Sequence, residues 1–195
     1  MFTLISVKLA NVLTNELEYS EDKKEIIAYA IETTLLAILG ALLIVLLGYA
    51  LNALVPTVIA AVFGGLLRRV SGGAHFNTPY KCLTFGAFIY CSLGILAEKL
   101  VDYDLANSYV LLLLVLVSLL LVSLLAPVDS EAKPIHSDSL KSILKILSVV
   151  LIIVSFFIVQ FSANQLLAVS AVLGVFYQSI TLLPIFNKKG GELGL

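Results

Sequence analysis

The sequence predicts an all-α integral membrane protein, from three observations: its apolar content, its long uncharged stretches and the one-sided placement of its basic residues. Of 195 residues, 60% are hydrophobic and only 13% charged, with a mean hydropathy of +1.06. A soluble domain is nearer half apolar and a quarter charged. The apolar residues run in blocks, without the alternation or helical spacing that would leave a polar face. No charge occurs from Asn107 to Val128, and the 42 residues from Ile146 to Asn187 are likewise uncharged. About 20 apolar residues cross a hydrocarbon core about 30 Å thick. A chain this short could not bury all these segments on every face in water.

The elements follow in chain order as a single membrane domain, residues 1–195. Phe2, Ile5, Leu9, Val12, Leu13 and Leu17 share one helical face opposite Asn11, Asn15 and Glu18. Residues 1–22 therefore read as a helix lying in the interface, with an ordinary packing helix as the alternative. The first 25 residues lack the basic start and apolar core of a signal peptide. Six spans fit the blocks, at about 26–47, 50–67, 83–100, 105–126, 144–161 and 164–186. Tight breaks are expected around Gly48–Tyr49 and Ser162–Ala163, and a kink at Pro56. Glu32 falls near the inner end of the first span.

Orientation follows from lysine and arginine, which remain cytoplasmic. With six spans and both termini inside, the inner segments carry Lys8, Lys23, Lys24, Arg68, Arg69, Lys81, Lys133, Lys141, Lys145, Lys188 and Lys189, and the outer loops carry Lys99 alone. The expectation is a multi-pass protein of a cell membrane, lipid its surroundings, with two substantial cytoplasmic loops at 68–81 and 127–141. A net charge of −1 implies no general attraction to nucleic acid. Two cysteines without a CxxC spacing argue against a disulfide scaffold or a structural zinc site, so no metal or cofactor is expected.

The chemistry-bearing residues collect in the first of these loops, Arg68-Arg69-Val70-Ser71-Gly72-Gly73-Ala74-His75-Phe76-Asn77-Thr78-Pro79-Tyr80-Lys81-Cys82. It holds one of two histidines, one of two cysteines, a glycine pair and three of the twelve basic residues. Cysteine catalysis needs a thiolate, and a nearby histidine supplies it by taking the proton and later protonating a leaving amine. Cationic neighbours favour the thiolate further, and Lys81, Arg68 and Arg69 are candidates. Seven residues of continuous helix would separate the two Cα atoms by about 10.5 Å, too far for a hydrogen-bonded pair. Pro79 opposes such a helix. The chain is therefore expected to fold back between His75 and Cys82, with Gly72 and Gly73 permitting the turn or offering backbone donors to an oxyanion. Ser71 or Asn77 could orient His75 as a third member. Cys82 would begin the third span at the inner membrane edge.

The string Arg-x-x-Gly-Gly-x-His-x6-Cys, Arg69 through Cys82, resembles the signature of the accessory gene regulator protein B (AgrB) family. The second loop, Ala126-Pro127-Val128 followed by Lys133-Pro134, is similar to the loop of that family between its fourth and fifth spans. Length and span number agree over essentially the whole chain. The resemblance implies a membrane-embedded cysteine endopeptidase acting on a short quorum-sensing propeptide of the AgrD type. Cys82 would be the nucleophile and His75 the base. The C-terminal tail would be expelled through an acyl-enzyme thioester, which a side chain of the same peptide then intercepts to close a thiolactone or lactone ring. The resemblance also implies a homodimer.

The remaining polar residues have blander readings beside the functional ones. Cys91 reads as packing within the third span and His136 as a solvated loop residue. Arg68, Lys133, Lys141 and Lys145 could attract an acidic propeptide tail or serve topology alone. Gln160, Asn164 and Gln178 read as helix–helix bonds or caps. A peptide transporter is the rival from another class, but it needs polar groups at mid-depth in several spans, which are nearly free of them. A non-catalytic membrane scaffold is the other rival, and replacement of Cys82 separates both from a peptidase.

Overall fold

The computed structural model describes residues 2–14, 20–74, 78–128 and 137–187. Among them the chain forms seven α-helices and no strand: α1 (Phe2–Thr14), α2 (Glu21–Ala50), α3 (Leu54–Ser71), α4 (Pro79–Asp102), α5 (Ser108–Leu125), α6 (Asp138–Phe161) and α7 (Gln165–Ile180). Helices α2 to α6 are each long and apolar enough to cross a membrane. This is the all-helical membrane protein that the uncharged blocks predict. The helices form two compact units, Met1–Leu43 and Ile44–Leu195.

In the first unit, α1 exposes Leu9 and Val12 of the expected apolar stripe and buries the small residues Ser6 and Ala10. Leu17 of that stripe lies outside the described residues. On α2, Ile26, Tyr29, Ile38 and Leu42 are exposed, as suits side chains facing hydrocarbon. The Thr34 hydroxyl donates back to the Ala30 carbonyl at 2.7 Å, which satisfies it without a partner helix.

The second unit is organised around α7. This helix packs most extensively against α3 and also touches α4, α5 and α6. Its buried residues run continuously from Ala168 to Val175, so it is covered on all sides. Lipid offers no hydrophobic drive between helices, and close approach of backbones replaces it. Small residues make that approach possible here. A Cβ on Gly174 would run into the Ala60 carbonyl of α3, and one on Gly64 would lie 2.7 Å from the Tyr90 hydroxyl and 2.8 Å from the Gly174 carbonyl oxygen. Buried serines on these helices are satisfied locally: Ser118, Ser148 and Ser170 donate to carbonyls four residues earlier.

Two expectations about the chain breaks change. The first break falls at Leu51–Ala53, where Asn52 takes a φ of 55°, and Gly48 is still helical. Gly48 serves instead as a contact point, where a Cβ would lie 3.2 Å from the Leu54 Cα. Pro56 is the third residue of α3, inside the first turn where a backbone N–H has no helical partner anyway. It starts the helix and does not kink it. The sixth span is helical only as far as Ile180, after which the chain continues in turns to Asn187. Pro184 disfavours helix in the residue before it, and the Asn187 amide donates to the Thr181 carbonyl at 2.7 Å to close the turn. The Ser162–Ala163 break is as expected, with Asn164 capping α7 through the Leu167 N–H at 3.0 Å.

Gly174→Val should therefore lower thermal stability in detergent, by about 1–3 kcal/mol of overpacking. Gly65→Ala, where nothing lies within 4 Å of the added Cβ, should leave the melting temperature equal or higher. Thermal melts of the two purified variants check this.

Candidate active site

The last turn of α3 carries Arg68 and ends at a glycine pair with backbone angles that other residues rarely adopt. Gly72 has φ 71° and Gly73 φ 130°, both in the region that favours glycine. Space imposes the same choice. A Cβ on Gly72 would strike the Val128 carbonyl oxygen, and one on Gly73 would lie 2.7 Å from Thr181 Oγ1 and 2.9 Å from Gln178 Nε2.

The non-helical backbone after α3 is held by protein on either side of Gly73, at Gly72 and at Ala74. The Gly72 N–H donates to the Arg68 carbonyl at 3.1 Å, ending the helix, and the Val128 N–H donates to the Ser71 carbonyl at 2.9 Å. Gln178 Nε2 on α7 donates to the Gly72 carbonyl at 2.8 Å. The Ala74 N–H donates to the Thr181 carbonyl at 3.3 Å. Three chain segments, following α3, α5 and α7, thus tie together at one end of the second unit.

Helix α4 begins at Pro79, a residue suited to a first turn, after Thr78 in extended conformation. Cys82 lies in that first turn, its N–H on the Thr78 carbonyl at 3.3 Å, and its side chain is half-buried. Arg68 connects this turn to the glycine loop. One guanidinium nitrogen, Nη2, donates to the Ala74 carbonyl oxygen and lies 3.6 Å from Cys82 Sγ. Ala74 and Cys82 therefore meet at a single side chain, where a continuous helix would hold their Cα atoms about 12 Å apart. The chain folds back between them. On the α7 side, the rings of Tyr90 and Tyr177 meet edge-on with centroids 5.9 Å apart, and both lie within electrostatic range of Arg68 and Cys82.

Of the basic candidates, Arg68 is the one on the sulfur. Arg69 and Lys81 are exposed. Adjacent positions on a helix point about 100° apart, so α3 presents only one of its two arginines to α4. Ser71 is fully buried, and its hydroxyl lies 3.2 Å from the Gly72 carbonyl oxygen, to which it donates. The Gly72 N–H is engaged by the Arg68 carbonyl, and both glycines take the positive φ that the turn requires. Cys91 is buried inside α4. His75, Asn77, Lys133 and His136 lie outside the described residues. Lys141 and Lys145 sit one turn apart near the start of α6 and, with Ser142 and Leu124–Pro127, line a crevice of about 370 Å³. Gln178, which the sequence marks only as a polar residue in a span, holds the glycine loop from α7.

A family model described as Accessory gene regulator B matches residues 6–182. A putative AgrB-like protein 2 from Clostridium perfringens is 27% identical, covering 96% of this chain and 94% of its own. An accessory gene regulator protein B from Staphylococcus aureus strain MRSA252 is 30% identical over 73% of each chain. No solved structure matches.

Because the guanidinium of Arg68 faces Cys82 and that of Arg69 faces solvent, Arg68→Ala should slow alkylation of Cys82 by iodoacetamide severalfold near neutral pH, and Arg69→Ala should change it little. Mass spectrometry of the Cys82 peptide after timed labelling reads the difference.

Proposed function

The chain belongs to the accessory gene regulator B family, and from that premise we propose that it is a membrane-embedded cysteine endopeptidase acting on a short AgrD-type propeptide. The observation that carries the reading is the Arg68 guanidinium placed against both the Ala74 carbonyl and Cys82 Sγ. It brings the backbone next to His75 to the sulfur, where a cysteine–histidine pair requires it.

In this reading His75 takes the Cys82 proton and the thiolate attacks the peptide carbonyl on the carboxyl side of the future signal. The C–N bond breaks, the amine of the tail leaves with the proton held by His75, and an acyl thioester remains on Cys82. A thiol or hydroxyl of the same peptide then attacks the thioester and releases the cysteine, closing a thiolactone or lactone. Tethering gives that internal nucleophile a high effective concentration. Access of water at the membrane edge decides how far hydrolysis competes. The eleven basic residues expected on one side support a cytoplasmic site and cytoplasmic termini in a bacterial plasma membrane. Lys141 and Lys145, flanking the crevice beside Pro127, are suited to draw in an acidic tail, and a second copy of the chain is the assembly that the family implies.

Co-expression with a tagged propeptide tests the proposal. Wild type should release the tail and carry a covalent propeptide adduct on Cys82, whereas Cys82→Ala and His75→Ala should release none. Cleavage persisting in Cys82→Ala would assign the loop to transport or scaffolding. Charge reversal at Lys141 and Lys145 should raise KM severalfold with little change in kcat, an effect that shrinks as salt rises.

A further inference from the structure

We infer that Arg68 is a further catalytic residue of this site, its guanidinium being the donor that holds the oxyanion formed when Cys82 attacks an acyl carbonyl. The inference rests on the cysteine-peptidase reading above. It adds a role in the transition state to the effect of a cation on the thiolate.

The guanidinium Nη2 lies 3.6 Å from Cys82 Sγ and also donates to the Ala74 carbonyl oxygen. The Arg68 side chain is half-buried, and among the described residues no carboxylate pairs with it. A cation withdrawn from water without a counter-ion is costly, and a neutral carbonyl offsets only part of that cost. The position is suited to a negative charge that arises beside the sulfur during the reaction.

Acyl transfer creates such a charge. The thiolate pair forms the C–S bond, and the π pair of the carbonyl moves to oxygen, which becomes an oxyanion. When that pair returns, the bond to the leaving group breaks and an acyl thioester remains on Cys82. The oxygen is two covalent bonds from the sulfur throughout. Stabilisation requires a donor about 3 Å from it, and a nitrogen 3.6 Å from the sulfur has that oxygen within its reach. Negative charge therefore passes from sulfur to oxygen in front of the same guanidinium. Arginine stays charged and carries several N–H donors, so the bond to Ala74 leaves others for the oxyanion.

The donor is held in place before the reaction, which is what makes such a group effective. Ala74 is fixed by its N–H on the Thr181 carbonyl at 3.3 Å, and Gly72 by Gln178 Nε2 at 2.8 Å. Backbone donors around the sulfur are committed elsewhere: the Cys82 N–H to the Thr78 carbonyl and the Gly72 N–H to the Arg68 carbonyl. The Gly73 N–H has no such partner among the described residues. The donor in contact with Cys82 is Arg68.

Two reagents applied to Cys82 in the full chain in detergent separate the two roles. Iodoacetamide alkylates by displacing iodide at a saturated carbon, so no oxyanion forms. p-Nitrophenyl acetate transfers its acetyl group through an oxyanion and releases p-nitrophenolate, which needs no proton to leave. At about pH 9 an ordinary thiol is largely ionised, which reduces the effect of Arg68 on the thiolate and leaves its effect on the oxyanion. Mass spectrometry of the Cys82 peptide after timed labelling gives both rates. The ratio of acetylation to alkylation should fall about tenfold in Arg68→Ala. Arg68→Met, which keeps the apolar stem of the side chain, is read in its place if Arg68→Ala does not fold. Altered access to the sulfur would change both rates together and leave the ratio unmoved. Equal ratios in wild type and variant would overturn the inference, confine Arg68 to the thiolate and leave the peptidase reading standing. A Cys82→Ala protein that still cleaves the propeptide would overturn that reading, and this inference with it, whatever the ratio.

Discussion

A short piece of non-helical backbone buried in protein has to find its hydrogen-bond partners there, because burial removes water from its N–H and C=O groups. The rest of the second unit is arranged around that constraint at Ser71–Ala74. Val128 takes the Ser71 carbonyl, Gln178 the Gly72 carbonyl, Thr181 the Ala74 N–H and Arg68 the Ala74 carbonyl. Each partner comes from a different element or the end of one. The loop can break from helix only because α7, the segment after α5 and the last turn of α3 all converge on it.

The close packing of α7 serves the same end. Gly174 and Gly64 let α7 and α3 approach at backbone contact, and one turn beyond each glycine lie Gln178 and Arg68, the two side chains that hold the loop. A wider separation at the glycines would draw the Gln178 amide away from Gly72. Packing in the bilayer interior and order in the loop are therefore parts of one arrangement, and the small residues along α7 are where it is set.

Much of the site is legible in the sequence. Cys82, Gly72 and Gly73 stand out because the chain has only two thiols and the spacing of this one from the glycine pair matches a family pattern. The need for the chain to fold back follows from helical rise and Pro79. The choice between Arg68 and Arg69 does not follow, since the two are neighbours of the same type and only the rotation of α3 against α4 separates them. Gln178 is still less visible: it lies 106 residues from Gly72 and reads in isolation as one polar residue in a span. Gly48 and Pro56 mislead for a related reason, as each looks like a break or kink when its neighbours across the turn are unknown.

What the sequence by itself determined is the solvent and the chemistry. Hydrocarbon dictates the length of each apolar block and the placement of charge, and both are local properties of the chain. A candidate nucleophile and base can likewise be named from residue type and spacing. Only the tertiary structure decided that α7 is the central helix, that Arg68 faces the sulfur, and that Gln178 and Thr181 hold the loop. Those outcomes depend on how helices rotate and cross, which is set by contacts between residues far apart in the chain, and composition and spacing carry no record of them.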